Sequence, residues 1–475
     1  MIPVHAFKGR RVAVFGLGRT GLATIRALLA GGAEVSAWDD SDVSRAAAEA
    51  QGFVLDDLNR RDWGDIAALI LSPGVPLTHP KPHRMVELAH AVGAPVIGDI
   101  ELFALEVLAM PAKRRPKIIG ITGTNGKSTT TALIGHILRE AGRNVTVAGN
   151  IGDAVLAQDP PRPGSFFVLE LSSYQIDLTR SLECDVAILL NMTPDHIDRH
   201  GDFAGYFAAK QRLFAMQGET GIAVIGVDDD PTRDYYSRLR MQRPDAQVLP
   251  ISAGRVVSRG VYALGDQVYE ALDIAPRPVL QLSRARALPG RHNAQNIAAA
   301  LAAVRVLGIG SRVAAEAIES FGGLAHRQEE VGMLGGVRFI NDSKATNAEA
   351  AMQALACYDP IYWIAGGRPK SGGLAALAHL YPRIAKAYLI GEAEARFAKD
   401  LDGKLAYERC GDLAAATRAA SRDALADGRP GAVVLLSPAA ASFDQFAHFE
   451  ARGDAFRALV AALELPAAAA GGGEQ

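Results

Sequence analysis

The sequence predicts an α/β protein of three domains with mostly parallel sheets. Three observations lead there. Apolar, strand-like runs alternate with amphipathic helical runs along nearly all of the 475 residues, the pattern of parallel strands joined by crossover helices. Two glycine-rich turns each stand between a strand and a helix. Polar clusters recur at the carboxyl ends of strands, where open parallel sheets bind their ligands. The length allows two to four domains.

The first domain, residues 1–108, opens with a strand leading into "VAVFGLGRTG". This stretch satisfies G-x-G-x-x-G through Gly16, Gly18 and Gly21, with Thr20 in the same turn, and Asp39 ends the next strand, "AEVSAWDD". A glycine turn at a helix start, followed by an acidic strand end, suits a diphosphate and a polar group beyond it. Nicotinamide, flavin and other nucleotide diphosphates all fit. So do glycines that only permit close strand–helix packing. "ILSPGVPLTHP" places Ser72 and Gly74 after the strand "AALIL", as backbone donors or as a plain turn. "EVLAMPAKRRPK", with proline and clustered charge, reads as a linker.

The second domain, 109–323, begins with "KIIGITGTNGKSTTTALIGHILREAG". Ile118, Ile119 and Ile121 read as a buried strand and Thr129–Glu140 as a helix. Between them lies a phosphate-type loop: Gly123, Thr124, Asn125 and Gly126 lend backbone amides, Lys127 a charge and Ser128 a hydroxyl for Mg²⁺. The strict spacing G-x-x-x-x-G-K-[ST] fails, because Ile121 stands where the first glycine belongs. The loop is therefore a variant. Three buried strands follow, "FFVLELSSYQ", "VAILLNMTPDH" and "GIAVIGVDDD". Glu170 ends the first, where such folds place a magnesium ligand or a base, or a surface carboxylate. His196 lies in an Asp-His pair after the second. Lys210 sits on a helix, where a solvated lysine is the ordinary expectation. Val248 to Leu282 alternates and suggests a small antiparallel excursion. Asn293 and Asn296 stand at the start of the next helix, a position where asparagine commonly caps.

The third domain, 324–475, repeats the strand-then-polar pattern in "VRFINDSKATN", "IYWIAGGRPKSGG", "AYLIGE" and "AVVLLSPAAASFDQF". Arg327, Asp342, Lys344, Thr346, Lys370, Ser437, Ser442, Phe443 and Phe449 lie there, each alone readable as a plain polar loop and together as strand-end groups fit to meet anions. The tail "LPAAAAGGGEQ" is low-complexity and expected to fray.

Composition excludes several classes. A net charge of −2 leaves no basic surplus for nucleic acid. No apolar run reaches the roughly 20 residues a membrane helix needs, and no signal-peptide order precedes Arg11. Three scattered cysteines argue against a disulfide framework or zinc site and favour the cytoplasm. A dehydrogenase built on "GLGRTG" would leave "TGTNGKST" unused, and a non-catalytic nucleotide switch would not need the third domain's polar groups.

The order of the stretches "GTNGKST", "ELSSYQ", "DHIDRHG…YFAAK", "RHNAQNIAAA", "HR" and "NDSKATN" resembles the muramyl ligase family of cell-wall synthesis, over nearly the whole chain. In that family the loop reads G-T-N-G-K-[ST], so the glycine spacing is the expected one. "GLGRTG", "LSPG", "GNIG", "GGRPKSG" and "LLSPAAASFDQF" are similar to its D-glutamate-adding branch. The "SPAAAS" stretch departs from it at Ala440, where a cysteine is common. The resemblance implies a Rossmann-like UDP-binding domain, a central P-loop ATPase-type domain and a C-terminal Rossmann-like domain. It implies ATP, Mg²⁺ (two ions) and a CO₂-derived carbamate on Lys210. Its substrates would be UDP-N-acetylmuramoyl-L-alanine and D-glutamate, and the protein a monomer. Gly16, Gly18, Thr20, Asp39, Ser72, Gly74, Asn150 and His196 would hold the UDP substrate. Gly123–Thr129, Asn293, Asn296, Arg327 and Asp342 would bind ATP, and Ser128, Glu170, His196 and Lys210 the metal. Lys127, Lys210, His196 and Glu170 would serve catalysis, and Thr346, Lys370, Ser442 and Phe449 would bind D-glutamate.

Overall fold

The computed structural model describes residues 1–244, 247–272, 275–369 and 373–464. The stretch expected to fray, 465–475, lies outside them, as does Lys370. The described residues form three sheets. They fall into two compact units: Met1–Arg284 with Arg291–Phe321, and Ala285–Gly290 with the chain from Gly322 on.

In the first unit, β1 (Arg11–Phe15), β2 (Glu34–Trp38), β3 (Ile66–Leu71) and β4 (Val96–Ile97) make an all-parallel sheet of order β2-β1-β3-β4. The helix Asp99–Ala109 follows, and its Ile100, Leu102, Phe103 and Val107 are buried. Phe103 packs on Phe167 with ring centroids 5.0 Å apart, which ties this helix into the core of the next sheet. The expected linker is accordingly shorter than its composition suggests. Glu106–Ala109 is the end of that helix, and lysine and arginine cluster only after it.

The second sheet contains β5 (Lys117–Thr122), β6 (Val145–Gly149), β7 (Phe166–Glu170), β8 (Val186–Leu189) and β9 (Ile222–Gly226). Its remaining strands are β10 (Val248–Ser252), β11 (Val261–Leu264), β12 (Gln267–Glu270) and β13 (Arg277–Gln281). The order is β13-β12-β11-β10-β9-β8-β5-β7-β6. The antiparallel excursion begins later than expected. β10 pairs parallel with β9, and β11 parallel with β10, so only β12 and β13 run against their neighbours. β10 is buried throughout, as a parallel strand covered on both faces should be.

The second unit holds β14 (Glu329–Leu334), β15 (Val337–Asn341), β16 (Ile361–Gly366), β17 (Ile384–Ile390), β18 (Tyr407–Gly411) and β19 (Val433–Leu436). Their order is β14-β15-β19-β16-β17-β18, parallel except for the β14–β15 hairpin. Alternation places Ile361, Trp363 and Ala365 in one core and Tyr362 and Ile364 in the other, so both faces of β16 are covered.

Candidate active site

The phosphate-type loop spans Gly123–Gly126, between β5 and the helix Lys127–Glu140. The helix starts two residues earlier than expected, because Gly126 (φ 85°) turns the chain straight into it. Gly123 also has positive φ, 144°. A Cβ on Gly126 would come within 2.2 Å of Asn296 Oδ1, so only glycine lets this side chain approach. The loop is pinned from β8: Thr124 N donates to Asn191 O and Asn125 N to Asn191 Oδ1, both at 2.9 Å. Asn191 Nδ2 in turn donates to Gln295 Oε1 at 2.9 Å.

Asn293 and Asn296 are not caps. They are the third and sixth residues of the helix Arg291–Val306, and both are buried. Asn296 Nδ2 donates to Asn293 Oδ1 at 2.9 Å, and Thr130 Oγ1 donates to Asn296 Oδ1 at 3.2 Å. The pair therefore braces the loop from below.

Lys127 Nζ donates to Gly123 O (2.9 Å) and Thr124 O (2.7 Å). Ser128 is buried in the first helical turn and Thr129 half-buried beside it. Lys210 is no solvated helix lysine. It is 1% exposed, and its Nζ donates to Thr122 Oγ1 at 3.2 Å and to Gly123 O at 2.9 Å. Burial first, then the Lys127 charge, hold its pKa well below the usual lysine range, against the pull of Asp195 and Glu170. Tyr206 lies beneath its amine, 4.9 Å to the ring centroid, and shares a hydrogen bond with Thr124.

Glu170 ends β7 and is buried. Its Oε1 accepts from Asn150 Nδ2 at 2.9 Å, while Oε2 is buried with no partner among the described residues. Asn150 N also donates to Glu170 O at 2.9 Å. The preceding Gly149 makes this approach possible, since a Cβ there would sit 2.3 Å from the same carbonyl. His196 precedes the short helix Ile197–His200 in left-handed conformation, φ 52°. Its ring packs against Tyr174, centroids 5.0 Å apart. Burial lowers its pKa, Asp195 opposes this, and Lys210 and Lys127 lower it further.

The glycine loop of the first sheet is built for close approach. Gly16 has φ 101°, and a Cβ there would meet Ser72 Cβ at 2.4 Å. On Gly21 it would meet Gly16 O at 1.8 Å, whereas Gly18 faces open space. Thr20 is half-buried in the first turn of the helix Arg19–Ala30. Asp39 holds the loop: Oδ2 accepts from Leu17 N at 2.7 Å and Oδ1 from Ser41 N at 2.8 Å. Arg199 Nη1 donates to Gly74 O at 2.9 Å, joining the loop after β3 to the segment that carries His196.

In the second unit, Asp342 is buried after β15. Its Oδ2 accepts from Ser437 Oγ (2.7 Å) and its Oδ1 from Gln328 N (3.2 Å). Burial pushes its pKa up to about 7, against those hydrogen bonds and Arg327. Thr346 and Phe449 are half-buried and Ser442 is buried. Ser343 Oγ donates to Phe449 O at 2.8 Å.

Sequence reasoning passed over Asn191, Gln295, Tyr206 and Arg452. Asn191 stands beside the Asp-His pair in "NMTPDH", which was its one available signal. The others are single residues whose partners lie far along the chain.

Within the first unit, the structure thus gathers Lys127, Ser128, Glu170, Lys210, Asn293, Asn296, Asn150 and His196 around the carboxyl ends of β5, β7 and β8. Among the described residues, no group of three or more His, Cys, Asp or Glu side chains forms a metal cluster. Nor is any helix there long and apolar enough to cross a membrane.

Comparison with known proteins gives the lineage. Residues 10–98 match the model of the Mur ligase MurD-like N-terminal domain, and residues 121–304 that of the Mur ligase middle domain. The chain is 57% identical to the UDP-N-acetylmuramoylalanine--D-glutamate ligase of Caulobacter sp. (strain K31), covering 98% of this chain and 99% of that one. It is 52% identical to the protein of the same name from Rhizobium meliloti (strain 1021), over 98% and 99%. Among solved structures it is similar in fold to UDP-N-acetylmuramate-alanine ligase MurC from Thermotoga maritima, with TM-score 0.57 and 17% identity over 94% of this chain and 98% of that one. The chain belongs to the Mur ligase family, on the branch whose members carry the name UDP-N-acetylmuramoylalanine--D-glutamate ligase.

Proposed function

We propose that the chain is an ATP-dependent ligase that joins D-glutamate to UDP-N-acetylmuramoyl-L-alanine in peptidoglycan synthesis. The full-length identity to ligases of that name supports this. The observation that carries the site reading is local. Two lysine amines, Lys127 and Lys210, converge on one carbonyl, Gly123 O, in a site that also holds a buried carboxylate oxygen with no partner among the described residues.

A carboxylate is a poor electrophile. Its oxygen attacks the γ-phosphorus of ATP, the bond to the β-phosphate oxygen breaks, and an acyl phosphate forms as ADP leaves. The glutamate amine then adds to the acyl carbon and phosphate departs, leaving the amide. The first step brings anions together, so the site must neutralise charge. Lys127 is the cation for phosphate oxygens, and the start of the helix Lys127–Glu140 adds its dipole. Asn191, Asn293 and Asn296 hold the loop. Arg327 and Asp342 carry over from the family as further nucleotide contacts.

The donor set suits Mg²⁺, which takes one or two carboxylates and otherwise phosphates and water. Glu170 Oε2, Ser128 and His196 would hold it, and it would supply charge neutralisation. Lys210 suits a carbamate. The reaction R–NH₂ + CO₂ → R–NH–COO⁻ + H⁺ needs a neutral amine, and burial beside Lys127 favours that form. The product would turn a repelled cation into an oxygen ligand.

For the UDP substrate we assign Gly16, Gly18, Thr20, Asp39, Ser72, Gly74, Asn150 and His196. For D-glutamate we assign Thr346, Lys370, Ser442 and Phe449. The working division is a UDP domain 1–108, an ATP domain 109–323 and an amino-acid domain 324–475. The proposed setting is the cytoplasm, as a monomer; the three cysteines are free, as in a reducing compartment. The test is phosphate release from ATP with UDP-N-acetylmuramoyl-L-alanine against a panel of D- and L-amino acids. Release specific to D-glutamate is expected, and release independent of the amino acid would overturn the reading.

A further inference from the structure

Arg452 is among the largest fully buried side chains, 1% exposed. It lies in the first turn of the helix Phe449–Ala461, where a cation opposes the helix dipole. Among the described residues, none of its hydrogen bonds goes to a carboxylate. Nε donates to Ser343 Oγ at 3.0 Å, and Nη2 to Ser343 O at 2.9 Å and Ala440 O at 3.2 Å. Nη1 donates to Ala440 O at 3.2 Å, Ala441 O at 3.3 Å and Gly366 O at 3.4 Å. Asp444 attracts it through space, yet burial still pushes its pKa down to about 10. A buried cation with no hydrogen-bonded anion among the described residues is a heavy cost to a fold. Apolar packing could hold these loops more cheaply if holding them were its whole use.

Its partners share one property. Ser343 lies three residues before Thr346. Ala441 adjoins Ser442. Gly366 opens the stretch leading in sequence to Lys370, and Arg368 pairs with Ala441 through two backbone bonds. Phe449 is one helical turn before Arg452, and its carbonyl accepts from Ser343 Oγ. Gly367 leaves the space required, since a Cβ there would lie 2.1 Å from Ala441 O and 3.0 Å from Arg452 Nη1. The segments that carry Thr346, Ser442 and Phe449 are therefore attached to one guanidinium, at the carboxyl ends of β15, β16 and β19.

We propose that Arg452 is the positioning residue of the amino-acid site: it fixes the segments carrying Thr346, Ser442 and Phe449 and places a buried positive charge behind them, selecting an amino acid with a second carboxylate. The inference rests on the proposed D-glutamate reaction. It separates two effects, loop position and charge, that different substitutions remove.

The experiment uses the full-length protein, with phosphate release measured against ATP, UDP-N-acetylmuramoyl-L-alanine, D-glutamate and D-glutamine. Arg452→Lys keeps the charge and loses the planar fork. It should raise the KM for D-glutamate about tenfold, with the other two KM values changed less than about twofold. Arg452→Gln loses the charge, and should also lower the preference for D-glutamate over D-glutamine by about tenfold or more. Ser343→Ala retains the charge but frees Phe449 O, and should raise the KM for D-glutamate while keeping that preference. It also serves if Arg452→Gln does not fold. Parallel changes in all three KM values, or an unchanged preference in Arg452→Gln, would overturn the inference alone. Failure of the unsubstituted protein to release phosphate in response to D-glutamate would overturn the reaction itself, and the inference with it.

Discussion

Two ammonium groups on one carbonyl repel, and at the head of the phosphate loop burial decides which has the lower pKa. Lys210 is the deeper, and its folded pKa lies well below the 10.5 of an ordinary lysine. Between those two values the unfolded chain binds the extra proton. Stability is thus fully present above the unfolded value and is lost as pH falls toward the folded one. At neutral pH the amine costs stability, so Lys210→Met should raise the Tm in CO₂-free buffer while lowering the rate about a hundredfold or more. Melting curves and phosphate release check the two halves, and a lowered Tm would refute the charge argument. If the carbamate forms, millimolar acetate should restore part of the rate of Lys210→Ala. Asp342 has the opposite sign. Its folded pKa is raised to about 7 from 3.8, so its contribution is present below the unfolded value and lost as pH rises through the folded one. Asp342→Asn should therefore melt higher than the unsubstituted protein at about pH 8 but not at about pH 4, as a pair of calorimetric scans would show.

At the scale of elements, the loop after β5 accounts for its own glycine spacing. Ile121 remains in the strand, and the two positive-φ positions are Gly123 and Gly126. Gly126→Ala forces a left-handed alanine, costing about 1–3 kcal/mol, and drives its Cβ onto Asn296 Oδ1. Urea unfolding should show that loss, and the KM for ATP should rise. Adding Asn296→Ala should return part of the stability by removing the blocking oxygen; no recovery would place the strain elsewhere. The same loop marks what a sequence exposes. Strands, their polar ends and the glycine turns rest on local periodicity, and they were legible. Asn293 and Asn296 resembled caps because capping is a local preference, whereas their burial is imposed by the helix Lys127–Glu140 packed across them. Arg452 was silent for the same reason, since its Ser343 partner lies 109 residues away. β10 misled because an alternating neighbourhood conceals a buried parallel strand.

At the scale of the molecule, each unit possesses its own buried core, around Val14, Phe103 and Ile225 in the first and around Trp363, Tyr388 and Phe456 in the second. A chain so divided need not melt in one step. The proposed substrates also divide. Gly16, Ser72, Asn150 and His196 lie in the first unit; Thr346, Ser442 and Phe449 lie in the second. A ligand stabilises the cooperative unit that binds it, by about 2.7 kcal/mol at a hundred times its Kd. UDP-N-acetylmuramoyl-L-alanine added alone should therefore raise the transition of the first unit and slow amide exchange in β1, β3 and β7, with β15, β16 and β19 nearly unchanged. Arg452→Lys, acting on the second unit, should lower the other transition and leave that protection intact. Protection confined to β15 and β16 would reverse the assignment of the UDP substrate, because binding free energy appears in exchange rates only where the ligand's contacts are broken by opening.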